Sequence, residues 1–123
     1  MKLAKAEEQL MEYLWSMEKG FMKDILECYP DPKPAATTIA TMLKRLAEKG
    51  FVAYKLFGNS REYYPLIAKT DYFSAHVNGL IKNFFNNSAS QFASFFTRET
   101  DLSTTELEEL KKIIEQEIKN KKK

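Results

Sequence analysis

Thr37, Thr38, Thr41 and Lys44, with Arg45 beside them, form a small polar cluster in the first half of this chain. Thr37, Thr41 and Lys44 stand at i, i+4 and i+7, so on a helix they share one face. Threonine hydroxyls can reach base edges or phosphates, and threonine methyls can touch a thymine methyl. A second cluster, Lys55, Asn59, Ser60 and Arg61, surrounds a Gly58-Asn59-Ser60 turn. It suits phosphates flanking a groove, which supply affinity more than sequence information. Each cluster also has a plainer reading. The threonines can serve capping and solvation near Pro34, Arg45 can tie its helix to the domain, and Ser60 can be an ordinary turn residue.

Catalytic chemistry is poorly provided for. Cys28 is the only cysteine and His76 the only histidine among 123 residues. That count excludes an intrachain disulfide, a Cys-rich or His-cluster metal site and a catalytic triad. A His76-Cys28 dyad is formally available, but no Gly-rich loop or paired-carboxylate constellation accompanies it. We expect no catalytic residue, no metal and no cofactor.

Charge points the same way as the clusters. The net charge is only +2, but it is unevenly spread. Residues 1–32 carry −3, residues 33–61 carry +5, and residues 62–123 balance to zero. A locally basic middle segment is what a nucleic-acid surface needs, although a solvated face looks similar. Hydrophobic residues at 44% and charged residues at 29% fit an ordinary globular chain. No run of 18 apolar residues occurs, and Glu7, Glu8 and Glu12 spoil the N-terminus as a signal peptide. A cytoplasmic location and no membrane partner are expected.

The elements that hold these clusters can be read from periodicity. Leu3, Ala6, Leu10, Leu14 and Met17 form one helical stripe, with Gly20 as its left-handed stop. Met22–Tyr29 is a second short helix, ended by three prolines within Tyr29–Pro34. Pro34 suits the first turn of a third helix over 35–49, whose buried stripe is Ile39, Met42, Leu43 and Leu46, capped by Gly50. Phe51–Phe57 and Arg61–Leu66 then read as a hairpin, with Gly20-Phe21 available as a third short strand. Helix, helix, helix, hairpin is the layout of a winged helix-turn-helix. It places the threonines on the third helix and Arg61 on the wing. The fold class expected is mostly α: a winged helix-turn-helix over 1–68, then a helical dimerisation domain over 69–123.

The second half is all helix and too apolar for its size. Thr70 is a candidate cap, Asn86-Asn87 a break, and Ser88/Gln91 and Ser103/Glu106 are capping-box pairs. Phe73, Val77, Leu80 and Phe84 fall on one face of the first of these helices. Phe92, Phe95 and Phe96 crowd the short middle one, and Leu107, Leu110 and Ile114 stripe the last. Three short helices have little interior of their own, so a core shared with a second copy is the economical solution. The other solution folds these helices back onto residues 1–68.

The stretch from Thr38 to Phe51 resembles the recognition-helix signature of the penicillinase and methicillin-resistance repressors, the BlaI/MecI family. So do Ala6-Glu7 with Trp15, Tyr63-Tyr64-Pro65-Leu66, and Asp101-Leu102-Ser103 with Glu106 to Leu110. The resemblance implies a homodimeric repressor acting on a double-stranded DNA operator of β-lactam resistance genes. It also implies a sensor-linked protease that cuts an Asn-Phe bond shortly before the Asp-Leu-Ser motif. Here Phe96 stands at the Phe of that bond and Phe95 at the Asn. Thr37 and Ala40 stand where family members often carry a larger basic side chain. The copper-responsive branch uses a C-terminal cysteine pair, which this chain lacks. Set beside the repressor dimer are a winged-helix protein-interaction module without sequence-specific DNA binding and, least supported, an enzyme.

Overall fold

The computed structural model describes residues 2–123. Its elements run α1 (Lys5–Met17), β1 (Gly20–Phe21), α2 (Met22–Cys28), α3 (Ala36–Glu48), β2 (Val52–Phe57), β3 (Ser60–Pro65), α4 (Lys69–Phe84), α5 (Ala89–Glu99) and α6 (Thr104–Lys121). They form two compact units, one ending at His76 and one running from Val77 to Lys123.

In the first unit, α1 buries Leu10, Met11 and Leu14 against Ile25 of α2 and Ile39, Leu43 and Leu46 of α3. Glu18, not Gly20, takes the positive φ (69°) that ends α1. Gly20 lies instead in β1, opposite Tyr63. Its missing side chain makes room for Met17, whose Sδ would sit 2.3 Å from a Cβ there. Pro34 lies just outside α3, whose cap is Ala35, rather than in its first turn.

The end of α3 follows the Schellman pattern. The Gly50 N–H donates to the Ala47 carbonyl at 3.0 Å and the Phe51 N–H to the Leu46 carbonyl at 2.8 Å. Gly50 holds φ 84°, and Phe51 and Leu46 are both buried, closing the motif with an apolar contact. The chain therefore leaves α3 at a fixed angle and enters the wing directly. β2 and β3 pair antiparallel from Val52↔Pro65 to Phe57↔Ser60, and β1 adds to the outer edge of β3. Gly58, at φ 63°, occupies the first of the two turn positions, as a II′-type hairpin requires.

The start of α4 belongs to this first unit. Tyr72 is buried; its hydroxyl donates to Glu8 Oε2 at 2.6 Å and accepts from the Leu3 N–H at 2.9 Å. Burial and the bond to Glu8 push its phenol up to about 12. The Trp15 indole N–H donates to the Ile67 carbonyl at 2.8 Å, fixing the segment that leads into α4. α4 begins at Lys69, so Thr70 lies inside its first turn and not at its cap.

In the second unit, Asn86 and Asn87 both adopt positive φ, 54° and 58°, and break the helix between α4 and α5. Ser88 caps α5 by accepting from the Gln91 N–H, but Gln91 turns its side chain to Asn86, so only half the expected box forms. Ser103 and Glu106 form the full box at the start of α6, at 3.0 and 3.1 Å. Phe85 gathers Phe92 and Phe95 at centroid distances of 5.5 and 5.3 Å. No residue of α5 or α6 is buried.

Candidate nucleic-acid interface

Ile39, Leu43 and Leu46 anchor α3 to the core, which leaves Thr37, Thr38, Ala40, Thr41, Lys44 and Arg45 exposed. The helix is about 20 Å long at 1.5 Å per residue, a fit for the major groove of a duplex. Thr41 Oγ1 donates its proton to the Thr37 carbonyl at 2.9 Å. With that proton engaged, the hydroxyl oxygen keeps only acceptor capacity, beside the methyl. That combination matches the N6 or N4 amino groups of adenine or cytosine, and the methyl of thymine, better than the acceptor edge of guanine.

The wing meets this helix in a cleft of about 460 Å³, lined by Ala40, Thr41, Leu43, Lys44 and Ala47 of α3 and by Tyr54, Arg61 and Tyr63 of the hairpin. The guanidinium of Arg61 rests over the Tyr54 ring, 4.4 Å from its centroid. Arg61 thus stands with Thr41 and Lys44. Asn59 and Ser60 line a second cleft with Phe21, Met22, Lys23 and Arg61. Lys55 stands apart. Its cross-strand partner is Glu62, on the opposite face of the hairpin from Arg61, and its ammonium lies 5.7 Å from the Phe57 centroid. Lys23 was not singled out from the sequence. No local spacing marks it; the β1–β3 pairing brings it beside the wing.

The basic middle segment divides into structural and available charges. Lys33 donates to the carbonyls of Leu26, Glu27 and Tyr29 at 3.2, 3.4 and 2.7 Å, closing the end of α2. Lys49 pairs with Glu7 at 2.9 Å. Burial works against the Glu7 charge. Hydrogen bonds from Lys49 and the Ala4 N–H, with the nearby charges of Lys49 and Arg45, outweigh it and hold this carboxyl below its ordinary value. Arg45 therefore acts partly inward. Among the described residues, Lys44, Lys55 and Arg61 have no carboxylate within ion-pair distance.

The apolar residues of the helical half divide as well. Phe73 lies tilted to Trp15 and edge-on to Tyr72, at 6.0 and 5.3 Å between centroids, within the first unit. Phe92 and Leu110 are half-buried within their own unit. Val77, Leu80, Phe84, Phe95, Phe96, Leu107 and Ile114 are exposed, Phe84 to 76%. Phe95 and Phe96 lie within α5, Phe96 stacked on Phe92 at 6.2 Å and its carbonyl accepting from the Thr100 hydroxyl. Cys28 is exposed on α2, His76 lies edge-on to Tyr72 at 4.5 Å, and no group able to hold a metal ion exists among the described residues. Among the described residues, no helix is long and apolar enough to cross a membrane.

Comparison with known proteins fits this geometry. Residues 3–116 match the penicillinase repressor family model. The chain is 28% identical over 123 residues to the penicillinase repressor of Bacillus licheniformis, covering 99% of this chain and 95% of that protein. It is 26% identical over 114 residues to the methicillin resistance regulatory protein MecI of Staphylococcus aureus strain N315, covering 92% and 93%. Its fold is similar to the solution structure of the DNA binding domain of the repressor BlaI, with a TM-score of 0.51 and 26% identity over 58% of this chain and 88% of that one. The motifs from Ala6 to Leu110 and the match over 3–116 agree in order and extent: the chain belongs to the penicillinase repressor family, whose members are transcriptional repressors and not enzymes.

Proposed function

We propose that this chain represses transcription by binding double-stranded operator DNA as a homodimer. The observation that carries the reading is the shared cleft of α3 and the wing, where Thr41, Lys44 and Arg61 stand together with no carboxylate opposite either cation. α3 enters the major groove, Arg61 and Lys44 meet phosphates, and Thr41 reads a base edge. The exposed faces of Val77, Leu80, Phe84, Leu107 and Ile114 support pairing of two chains through the helical half. A two-fold dimer then implies an inverted-repeat operator with half-site centres about 10 bp, or a multiple, apart. The relatives' names, penicillinase repressor and methicillin resistance regulatory protein, support β-lactam resistance genes as the target.

Titration of duplex DNA at several salt concentrations tests the reading. Arg61→Ala should weaken binding to all sequences alike and flatten the slope of log K against log salt by about one unit. Thr41→Ala should lose about 1–3 kcal/mol of discrimination between operator and random DNA. A slope that ignores Arg61→Ala, with discrimination that ignores Thr41→Ala, places this face off the DNA and favours a protein-interaction module.

The same reading gives the helical half a switch. Cleavage near Phe95–Phe96 would separate part of α5 from α6 and dismantle the shared apolar faces, so that each chain keeps only one half-site contact. α5 must open locally before a protease can take it extended, and the left-handed Asn86-Asn87 break on one side is a place for that opening. Mass spectrometry of the protein from β-lactam-treated cells decides the point: fragments ending near Phe95 are expected, and an intact chain during induction rejects the cut.

A further inference from the structure

The tip of the wing is apolar, which phosphate contact alone does not explain. Leu56 is 60% exposed and Phe57 50%, immediately before the Gly58 turn. Neither can donate to a phosphate oxygen. Alternation along the strand sends them to opposite faces, Leu56 beside Arg61 and Phe57 beside Ser60. Phe57 is braced edge-on by the Phe21 ring, 5.9 Å away, and flanked by the Lys55 ammonium. Arg61, the cross-strand partner of Leu56, is braced on Tyr54. The tip is therefore a stiff apolar point with one cation on each face of the hairpin. Glu62 lies behind it, across from Lys55 and outside ion-pair distance.

A minor groove has the complementary form: a narrow slot walled by sugars and base edges, with a row of phosphates along each rim. We propose, on the DNA-binding reading above, that Leu56 is an apolar wedge that enters the minor groove beside the major groove holding α3 and bends the duplex, while Lys55 and Arg61 hold the two rims. This explains why the two wing cations lie on opposite faces rather than side by side. It also explains why a large aliphatic side chain is left in solvent near the tip of the hairpin.

The test uses the full chain and end-labelled duplexes that the wild-type protein retains from a random-sequence pool. Energy transfer between the duplex ends reports the bend, and titration at several salt concentrations reports affinity and charge contacts. Wild type should bring the ends closer. Leu56→Ala should reduce the bend and weaken binding on the order of tenfold, with the salt slope unchanged. Leu56→Lys separates the wedge from a wing that merely rides on phosphates. The wedge predicts weaker binding and less bend despite the added charge. Tighter binding with a steeper salt slope would overturn it. Bend and affinity indifferent to both variants would also overturn it and leave the tip to a protein partner. If wild type retains no duplex at all, the DNA-binding reading falls first, a result distinct from either.

Discussion

The two units of this chain handle apolar side chains in opposite ways. The first closes a core around Leu10, Met11, Leu14, Ile25, Ile39, Leu43 and Leu46, all essentially inaccessible. The second holds Phe84, Phe95, Ile113, Ile114 and Ile118, each about half exposed or more, and buries no residue of α5 or α6. The second unit does not lack local helix chemistry, since Ser103 and Glu106 make a full capping box. Capping fixes where helices start; it does not give them an interior. The first unit has an interior within one chain, although its wing tip stays apolar and exposed, and the open apolar faces of the second support the proposed pairing of two chains.

The largest effect should come from placing charge on the open faces. Phe84→Asp with Ile114→Asp should convert the full chain to monomers and cut operator affinity by about 10²–10⁴-fold, the loss expected when two linked half-site contacts become one. The first unit should keep its unfolding midpoint. Sedimentation and DNA titration check this; an unchanged mass would show that these faces do not pair.

A smaller effect sharpens the boundary between the units. A fragment ending at residue 68 loses Tyr72 and its bonds to Leu3 and Glu8, whereas one ending at residue 76 keeps them. The shorter fragment should be less stable by about 3–5 kcal/mol, the range for removing a buried aromatic. Equal urea midpoints would show that Tyr72 contributes little to the first unit.

The smallest effect concerns Glu7. Its folded-state carboxyl titrates below the ordinary 4.5, so its contribution is present above that value and lost as pH falls through the lower one. Glu7→Ala should cost about 1–3 kcal/mol at neutral pH, where it leaves Lys49 without its partner. Urea denaturation should show the gap between variant and wild type narrowing below pH 4.5. A gap that stays constant into acid would assign the loss to packing instead.

Much of the fold was legible because its signals are local. Gly50 after an amphipathic stripe, the Gly58 turn, the Asn86-Asn87 break and the Ser103 box each act within a few residues. The exposed face of α3, where the candidate site lies, was legible for the same reason: the core stripe Ile39, Leu43, Leu46 fixes which residues face out. The remaining features are set by long-range pairing. Lys33 and Lys49 looked like surface charge, but one closes α2 and the other meets Glu7 from α1. Lys23 reaches the wing only because β1 pairs with β3. Lys55 and Arg61 looked adjacent around one turn, and the Phe57↔Ser60 register places them on opposite faces.

On the proposed reading, the helical half joins two chains so that two α3–wing surfaces act on one operator. Sedimentation equilibrium of the full chain at micromolar concentration, alone and with a duplex retained from a random pool, tests it most directly. A species of twice the 14.3 kDa chain mass is expected in both samples, with two chains on each duplex. A 14.3 kDa monomer that binds the duplex singly, with undiminished affinity, would contradict it.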